Sequence, residues 1–222
     1  MTMTPITIDI VSDTVCPWCF VGKRRMEQAI AALKASDPDQ TVTVRWHPFQ
    51  LDPTVPPEGA DMRGHLARKY GAERATQMKA ALAEAGAELG IPFAFDKVTR
   101  RANTLDSHRL IRWAQTTEHG DAVVEGLFKA YFVEGRDIGN RDVLATVAGA
   151  AGLDVTAIRA RLDTDEDRTT IEAEIHTART GGVTGVPDFV VGRRFRLPGA
   201  QDSAYFTRAF GLLRDAGSSV HE

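Results

Sequence analysis

The sequence predicts an α/β fold in which a β-α-β segment and a β-β-α segment are parted by a long all-helical stretch. Three observations carry this: period-2 alternation at the two ends of the chain, helical periodicity through the middle, and a proline-rich run between the first pattern and the second. At 222 residues, 43% of them hydrophobic, the chain can bury a sizeable core and is long enough for a domain carrying an insertion.

Ile6, Ile8 and Ile10 alternate with Thr7 and Asp9, which predicts a strand from about Pro5 with one buried face. From Pro17 the pattern changes. Met26, Ile30 and Leu33 recur at helical spacing, predicting a helix to about Ala35. The turn Asp37-Pro38-Asp39 leads to Val42, Val44 and Trp46, which alternate with Thr43, Arg45 and His47 as a second strand. From Pro48 to Gly59, four prolines and a glycine mark a linker, because proline lacks the N–H that an element interior needs. Helical stripes follow at Ala75, Met78, Leu82, Ala85 and Leu89, at Val123 to Phe132, at Val143 to Ala151, and at Ile171 and Ile175. Breaks at Gly90-Ile91-Pro92, Gly135 to Asn140 and Gly152 separate them. After Gly181-Gly182, Phe189-Val190-Val191, a turn at Gly192-Arg193, then Phe195 and Leu197 predict a hairpin. Phe206, Ala209, Phe210 and Leu213 predict a last helix starting near Asp202. The order is that of a thioredoxin-like fold with an inserted all-helical domain. Its parts are residues 1–55, the inserted 56–181, and 182–222.

Lysine and arginine number 27 against 30 acidic residues, and a net charge of -3 gives no broad attraction to phosphates or anionic lipid. Nucleic acid and membrane are therefore not expected as partners. The segment MTMTPITIDIVSDTV has no basic n-region, carries Asp9 and Asp13 in its apolar stretch and lacks an A-x-A site. A cytoplasmic location is expected.

The two cysteines, Cys16 and Cys19, stand three residues apart, which is no disulfide framework and would constrain little of the unfolded chain. Chemistry explains them better. Cys16-Pro17-Trp18-Cys19 lies between the first strand and the first helix, placing Cys16 near the N-cap and Pro17 at the favoured first helical position. Free amide N–H groups and the positive end of the helix dipole favour a thiolate there, so Cys16 is the expected nucleophile. Cys19 lies about one turn later on the same face, within reach of a disulfide, and is the expected resolving thiol. A zinc site needs about four ligands, and no second pair accompanies this one. Haem attachment would need histidine where Phe20 stands.

Thr184-Gly185-Val186-Pro187 precedes the third predicted strand. A cis bond is cheap only before proline, and it would turn the Val186 backbone outward to pair with an extended substrate. Trp18 is expected to be exposed and to contact substrate. Lys23, Arg24 and Arg25 read as a solvated face.

VCPWCFVGKRRME from Val15, WHPFQLDP from Trp46, NTLDSHRL from Asn103, LFKAYFVEGRDI from Leu127, GVTGVPDFVV from Gly182 and PGAQ from Pro198 together resemble the DsbA family, in particular its cytosolic FrnE-like dithiol oxidoreductases. The resemblance covers nearly the whole chain. It implies a thiol–disulfide oxidoreductase with Cys16 as nucleophile, Cys19 as its partner and a cis-Pro187. No bound cofactor is implied, and glutathione is a candidate redox partner beside protein or small-molecule disulfides and thiols. Asn103 and His108 resemble cleft positions of related glutathione-dependent isomerases, although Asn103 reads equally as a helix cap. Phe49, Gln50 and Gly199-Ala200-Gln201 would form the rim. Asp188 departs from the apolar residue such proteins often carry after the proline, and its charge would raise the Cys16 pKa if it pointed there. Two other functions fit the residues: a glutathione-dependent isomerase or transferase of the 2-hydroxychromene-2-carboxylate isomerase or kappa type, and a thiol pair binding Cu(I). Cys19 argues against the first, since those proteins typically carry a single serine or cysteine at the Cys16 position.

Overall fold

The structure, a computed structural model, describes residues 5–218. Strand β1 (Ile6–Ser12) buries every second residue, as its alternation demands. Helix α1 (Pro17–Ser36) returns the chain to β2 (Val42–Pro48), which lies parallel to β1 with Ile6 opposite Val42 and Ser12 opposite Pro48. The middle of the chain holds β3 (Ala60–Asp61), α2 (His65–Tyr70), α3 (Ala72–Glu88), β4 (Arg100–Arg101), α4 (Leu105–Ala114), α5 (Gly120–Phe132), α6 (Arg141–Ala150), α7 (Val155–Leu162) and α8 (Arg168–Thr180). Strands β5 (Asp188–Val191) and β6 (Phe195–Pro198) and helix α9 (Ser203–Ser218) close the fold. The main sheet has the order β2-β1-β5-β6, with β5 antiparallel to both its neighbours.

Local chemistry sets several boundaries. Asn140 caps α6 by accepting from Asp142 and Val143 N–H, and Asp154 caps α7 by accepting from Thr156 and Ala157 N–H. The β5–β6 turn, three residues between Val191 and Phe195, has positive φ at both Gly192 (60°) and Arg193 (58°).

Ile6, Ile8 and Ile10 bury one sheet face in a core that includes Phe20 and Met26 of α1 and Phe206 and Phe210 of α9. The same core continues into the helices: Phe20 stacks on Phe128 of α5 with ring centroids 5.1 Å apart. Leu105, Ile171 and Ile175 form a small second cluster between α4 and α8.

Two expectations need correction. The stretch read as wholly helical carries the β3–β4 ladder, two residues a side, which is too short to show a period. Helices α2 and α7 are likewise too short for a repeating stripe. The basic run of α1 is not a solvated face: Lys23 is 1% exposed and paired with Glu27, Asp121 and Glu125, while Arg24 holds Glu27 and Glu125. Arg25 donates to the Ala200 carbonyl at 2.7 Å. Partners on α5 and beyond β6 are invisible to a local reading.

Candidate active site

The turn between β1 and α1 builds the site. Cys16 N–H donates to the Asp13 carbonyl at 3.0 Å, and Cys19 N–H donates to the Cys16 carbonyl at the same distance. Cys16 is the N-cap of α1 with extended backbone (φ −96°, ψ 111°), and Pro17 opens the helix. Both cysteines are free thiols, Cys16 5% and Cys19 1% exposed. The Cys16 thiol donates to the Val186 carbonyl at 3.4 Å, so β5's approach and the start of α1 meet at this sulfur.

The Val186–Pro187 peptide is cis. The Pro187 carbonyl accepts from Gly199 N–H at 2.8 Å, which ties the rim segment after β6 to the proline. Gly22 allows this packing: a Cβ there would lie 3.0 Å from Phe189 Cζ and 3.1 Å from Pro187 Cγ. A glycine inside a helix costs about 1 kcal/mol, and here it permits the close approach of α1 to β5.

Burial pushes the Cys19 thiol well above its ordinary range, and the adjacent Cys16 sulfur pushes it further. The Ser12 hydroxyl and the Asp13 main chain act in the opposite direction. Sequence reasoning missed Ser12, Asp13 and Gly22. Two signals were available: a glycine in a helical stripe, and a serine at a position of β1 where the alternation calls for an apolar residue.

Asp13 is a buried junction. Its Oδ2 accepts Leu51 N–H at 2.7 Å, its Oδ1 accepts Val15 N–H at 3.5 Å, and His108 Nε2 lies 3.7 Å from Oδ1. His108 also bonds the Phe49 carbonyl through Nε2 at 2.9 Å. Asn103 donates to the Val55 carbonyl at 2.7 Å and accepts from Leu105, the first residue of α4, at 3.0 Å. Both residues thus fasten α4 to the segment after β2. Arg179 donates to the Gln50 carbonyl and lies over the Phe49 ring. Trp18 is 37% exposed, beside two buried sulfurs. The Asp188 carboxylate is turned to Arg196 of β6, whose Nε donates to both its oxygens at 3.1 and 2.8 Å, so its charge is balanced.

A groove of about 800 Å³ runs along β2 between Ser12, Trp46, His108 and Gln115, but neither cysteine lines it. The candidate site is therefore marked by the sulfur geometry and not by the groove. Among the described residues, no three His, Cys, Asp or Glu side chains are placed to hold a metal, and no helix is long and apolar enough to cross a membrane.

This sheet, with a C-x-x-C pair opening its first helix and a cis-proline facing it, defines a thioredoxin-fold thiol–disulfide oxidoreductase. The chain belongs to the family of the DSBA-like thioredoxin domain, whose model matches residues 7–211. It is 30% identical over 208 residues to the uncharacterized protein YwbO of Bacillus subtilis strain 168, covering 92% of this chain and 95% of that one. It is also similar to the crystal structure of a probable DsbA oxidoreductase from Streptomyces coelicolor, at 31% identity and a TM-score of 0.80, covering 93% of this chain and 90% of the other. The cytosolic disulfide reductase DsbM of Pseudomonas aeruginosa, solved with glutathione, shares the fold at 18% identity and a TM-score of 0.61, covering 97% and 100%.

Proposed function

We propose that the protein is a cytoplasmic dithiol–disulfide oxidoreductase that exchanges electrons with protein or small-molecule disulfides through Cys16 and Cys19. The observation that carries this reading is the asymmetry of the pair: Cys16 at the helix N-cap with its sulfur at the Val186 carbonyl, Cys19 behind it and 1% exposed. A thiol at the start of the helix is placed to attack first, and the thiol one turn behind it to attack the sulfur then bound there.

In the reducing direction the Cys16 thiolate attacks R–S–S–R′. The Cys16–S–S–R bond forms, the substrate S–S bond breaks, and R′S⁻ leaves and takes up a proton. Cys19 then attacks the Cys16 sulfur, its proton passing to the departing RS⁻. The dithiol has lost two electrons and two protons, and the substrate has become two thiols. Val186 and Pro187 border the space where the R group sits, with Trp18, Pro17 and Asp188 around it. Glutathione is a fitting partner to regenerate the dithiol; DsbM, which shares the fold, is described with it.

Reaction of each single mutant with an oxidised model peptide tests this. Cys16→Ser is expected to abolish exchange and Cys19→Ser to accumulate the mixed disulfide, seen by mass. Equal turnover by both mutants would overturn the assignment. The reduction potential in glutathione buffers sets the direction: Trp18 offers the thiolate no charge, so we expect a couple well below the strongly oxidising value of about −120 mV. If no Cys16–Cys19 disulfide forms under oxidant, the glutathione-isomerase or Cu(I) reading takes its place.

A further inference from the structure

We propose that the side-chain amide of Gln50 binds the main chain of the disulfide substrate beside its cysteine, which makes peptide disulfides the substrate class of this site. The proposal rests on the dithiol reading above and deepens it by naming what surrounds the sulfur that Cys16 attacks.

Gln50 is 9% exposed, yet among the described residues its side-chain amide has no hydrogen-bond partner; its main-chain carbonyl is the group that accepts from Arg179. Buried amides are ordinarily paired, because desolvating one without a partner is costly. This one is not sealed in the interior: among the described residues, the buried side-chain atoms left without a partner are Trp46 Nε1 and Glu125 Oε2. The Gln50 nitrogen and oxygen therefore keep access to solvent while most of the side chain is covered. An amide presented in this way, with donors and acceptor unspent, is open to a ligand.

Its place in the fold puts that ligand at the dithiol. Gln50 stands between Phe49, whose N–H is held by the Ser12 carbonyl at 2.9 Å, and Leu51, whose N–H is held by the Asp13 carboxylate at 2.7 Å. Ser12 and Asp13 lead into the turn that carries Cys16, and the Asp13 carbonyl accepts Cys16 N–H at 3.0 Å. Arg179, which holds the Gln50 carbonyl and lies over Phe49, stands in the last turn of α8, the helix that runs into the segment of Val186. The Val186 carbonyl in turn meets the Cys16 sulfur at 3.4 Å. Gln50 is thus tied to both walls that join at Cys16, the turn before α1 and the segment before β5. His108 fixes the Phe49 carbonyl at 2.9 Å, so this stretch of rim is held on each side of Gln50. Gln50 does not line the groove along β2, which leaves its amide outside that cavity.

The chemistry of the group names the ligand. A primary amide has one acceptor oxygen, two N–H donors and no charge, which matches the N–H and C=O of a peptide unit. Gln115 makes this match within the molecule: its Oε1 accepts Trp46 N–H at 2.6 Å and its Nε2 donates to the Trp46 carbonyl at 3.0 Å. A peptide running past Cys16 offers Gln50 the same two groups and pairs with the Val186 main chain on the facing wall. A disulfide without peptide units offers neither. Peptide units are shared by polypeptides and glutathione, so the test includes both.

Three symmetric disulfides separate the cases: that of a capped alanine–cysteine–alanine peptide, glutathione disulfide, and bis(2-hydroxyethyl) disulfide, which has no peptide unit. Reduced protein is mixed with an excess of each, and oxidation of the dithiol is followed by mass after acid quench. Gln50→Leu keeps much of the bulk and leaves no protein group unpaired, so its urea midpoint is expected at or above that of wild type. The ratio of second-order rate constants, capped peptide over hydroxyethyl disulfide, is expected to fall about tenfold in Gln50→Leu. The fall should come from a higher half-saturating concentration and not from a lower limiting rate. Gln50→Met, closer in shape to glutamine, is expected to give the same fall, which separates loss of the amide from a change of shape. A fall with the capped peptide assigns polypeptides, and a fall confined to glutathione disulfide assigns that thiol. Ratios within about twofold of wild type for both, or a lower urea midpoint with equal slowing on all three disulfides, would overturn the proposal. A wild type whose dithiol is oxidised by none of the three would instead overturn the dithiol reading, and this proposal with it.

Discussion

Asp188 shows how a single side chain can change meaning between sequence and structure. On the page of the sequence it is a negative charge one residue from the proline that faces the thiols. In the fold it is 3% exposed and gripped by Arg196, which also donates to the Gly182 carbonyl at 3.1 Å. The carboxylate holds the Arg196 guanidinium above its ordinary range, and the pair is a two-oxygen fork, the geometry in which arginine binds carboxylate best. Arg196→Met is expected to destabilise the protein by leaving a buried carboxylate without its partner. Adding Asp188→Asn should recover most of that loss. Urea unfolding of the four proteins in a double-mutant cycle measures it, and additive effects would show that the two groups do not depend on each other. The dithiol itself was legible because all its information lies in four consecutive residues at a strand–helix junction. Asp13 was not singled out, because its role depends on Leu51 and His108, which are brought to it only by the fold.

At the scale of elements, periodicity found the long strands and helices, since burial of one face repeats itself along them. What it does not reveal is how an edge is closed. Strand β2 ends the main sheet, so Val42, Val44 and Trp46 turn their main-chain groups away from β1. Gln115, the C-cap of α4, substitutes for a neighbouring strand: its Oε1 accepts Trp46 N–H at 2.6 Å and its Nε2 donates to the Trp46 carbonyl at 3.0 Å. One side-chain amide thus blunts the edge where an added strand would pair. No local pattern marks this glutamine, because its partner is 69 positions away. Gln115→Ala is expected to cost about 1–3 kcal/mol by leaving both Trp46 groups without that amide. Equilibrium unfolding checks it, and a loss below about 0.5 kcal/mol would mean that the clamp contributes nothing beyond solvent.

For the molecule as a whole, the question is what keeps the helix that carries the dithiol fixed against the helices that follow β2. Apolar packing of Phe20 on Phe128 supplies part of the answer, and the buried charge cluster one turn further along α1 supplies the rest. Burial lowers the Lys23 pKa, but Asp121, Glu27 and Glu125 outweigh it and hold the ammonium above its ordinary range. Burial raises Glu125, yet Arg24 and Lys23 hold it below its ordinary range. The signs fix the pH window. The Glu125 contribution is present above the ordinary glutamate value of about 4.3 and is lost as pH falls through the lower folded value. The Lys23 contribution is present below the ordinary lysine value of about 10.4 and is lost as pH rises through the higher folded value. Lys23→Met keeps the side-chain length, removes the charge, and leaves Glu27 to Arg24 and Glu125 to Arg24 and Lys129. It is expected to cost about 3 kcal/mol at neutral pH. The deficit should narrow in acid, below the folded Glu125 value, where the carboxylates left behind are protonated. Urea unfolding at neutral and acidic pH separates charge from packing: an equal loss at both would mean that Lys23 serves as a spacer, whereas a loss confined to neutral pH would make the ion cluster the fastening of the active-site helix.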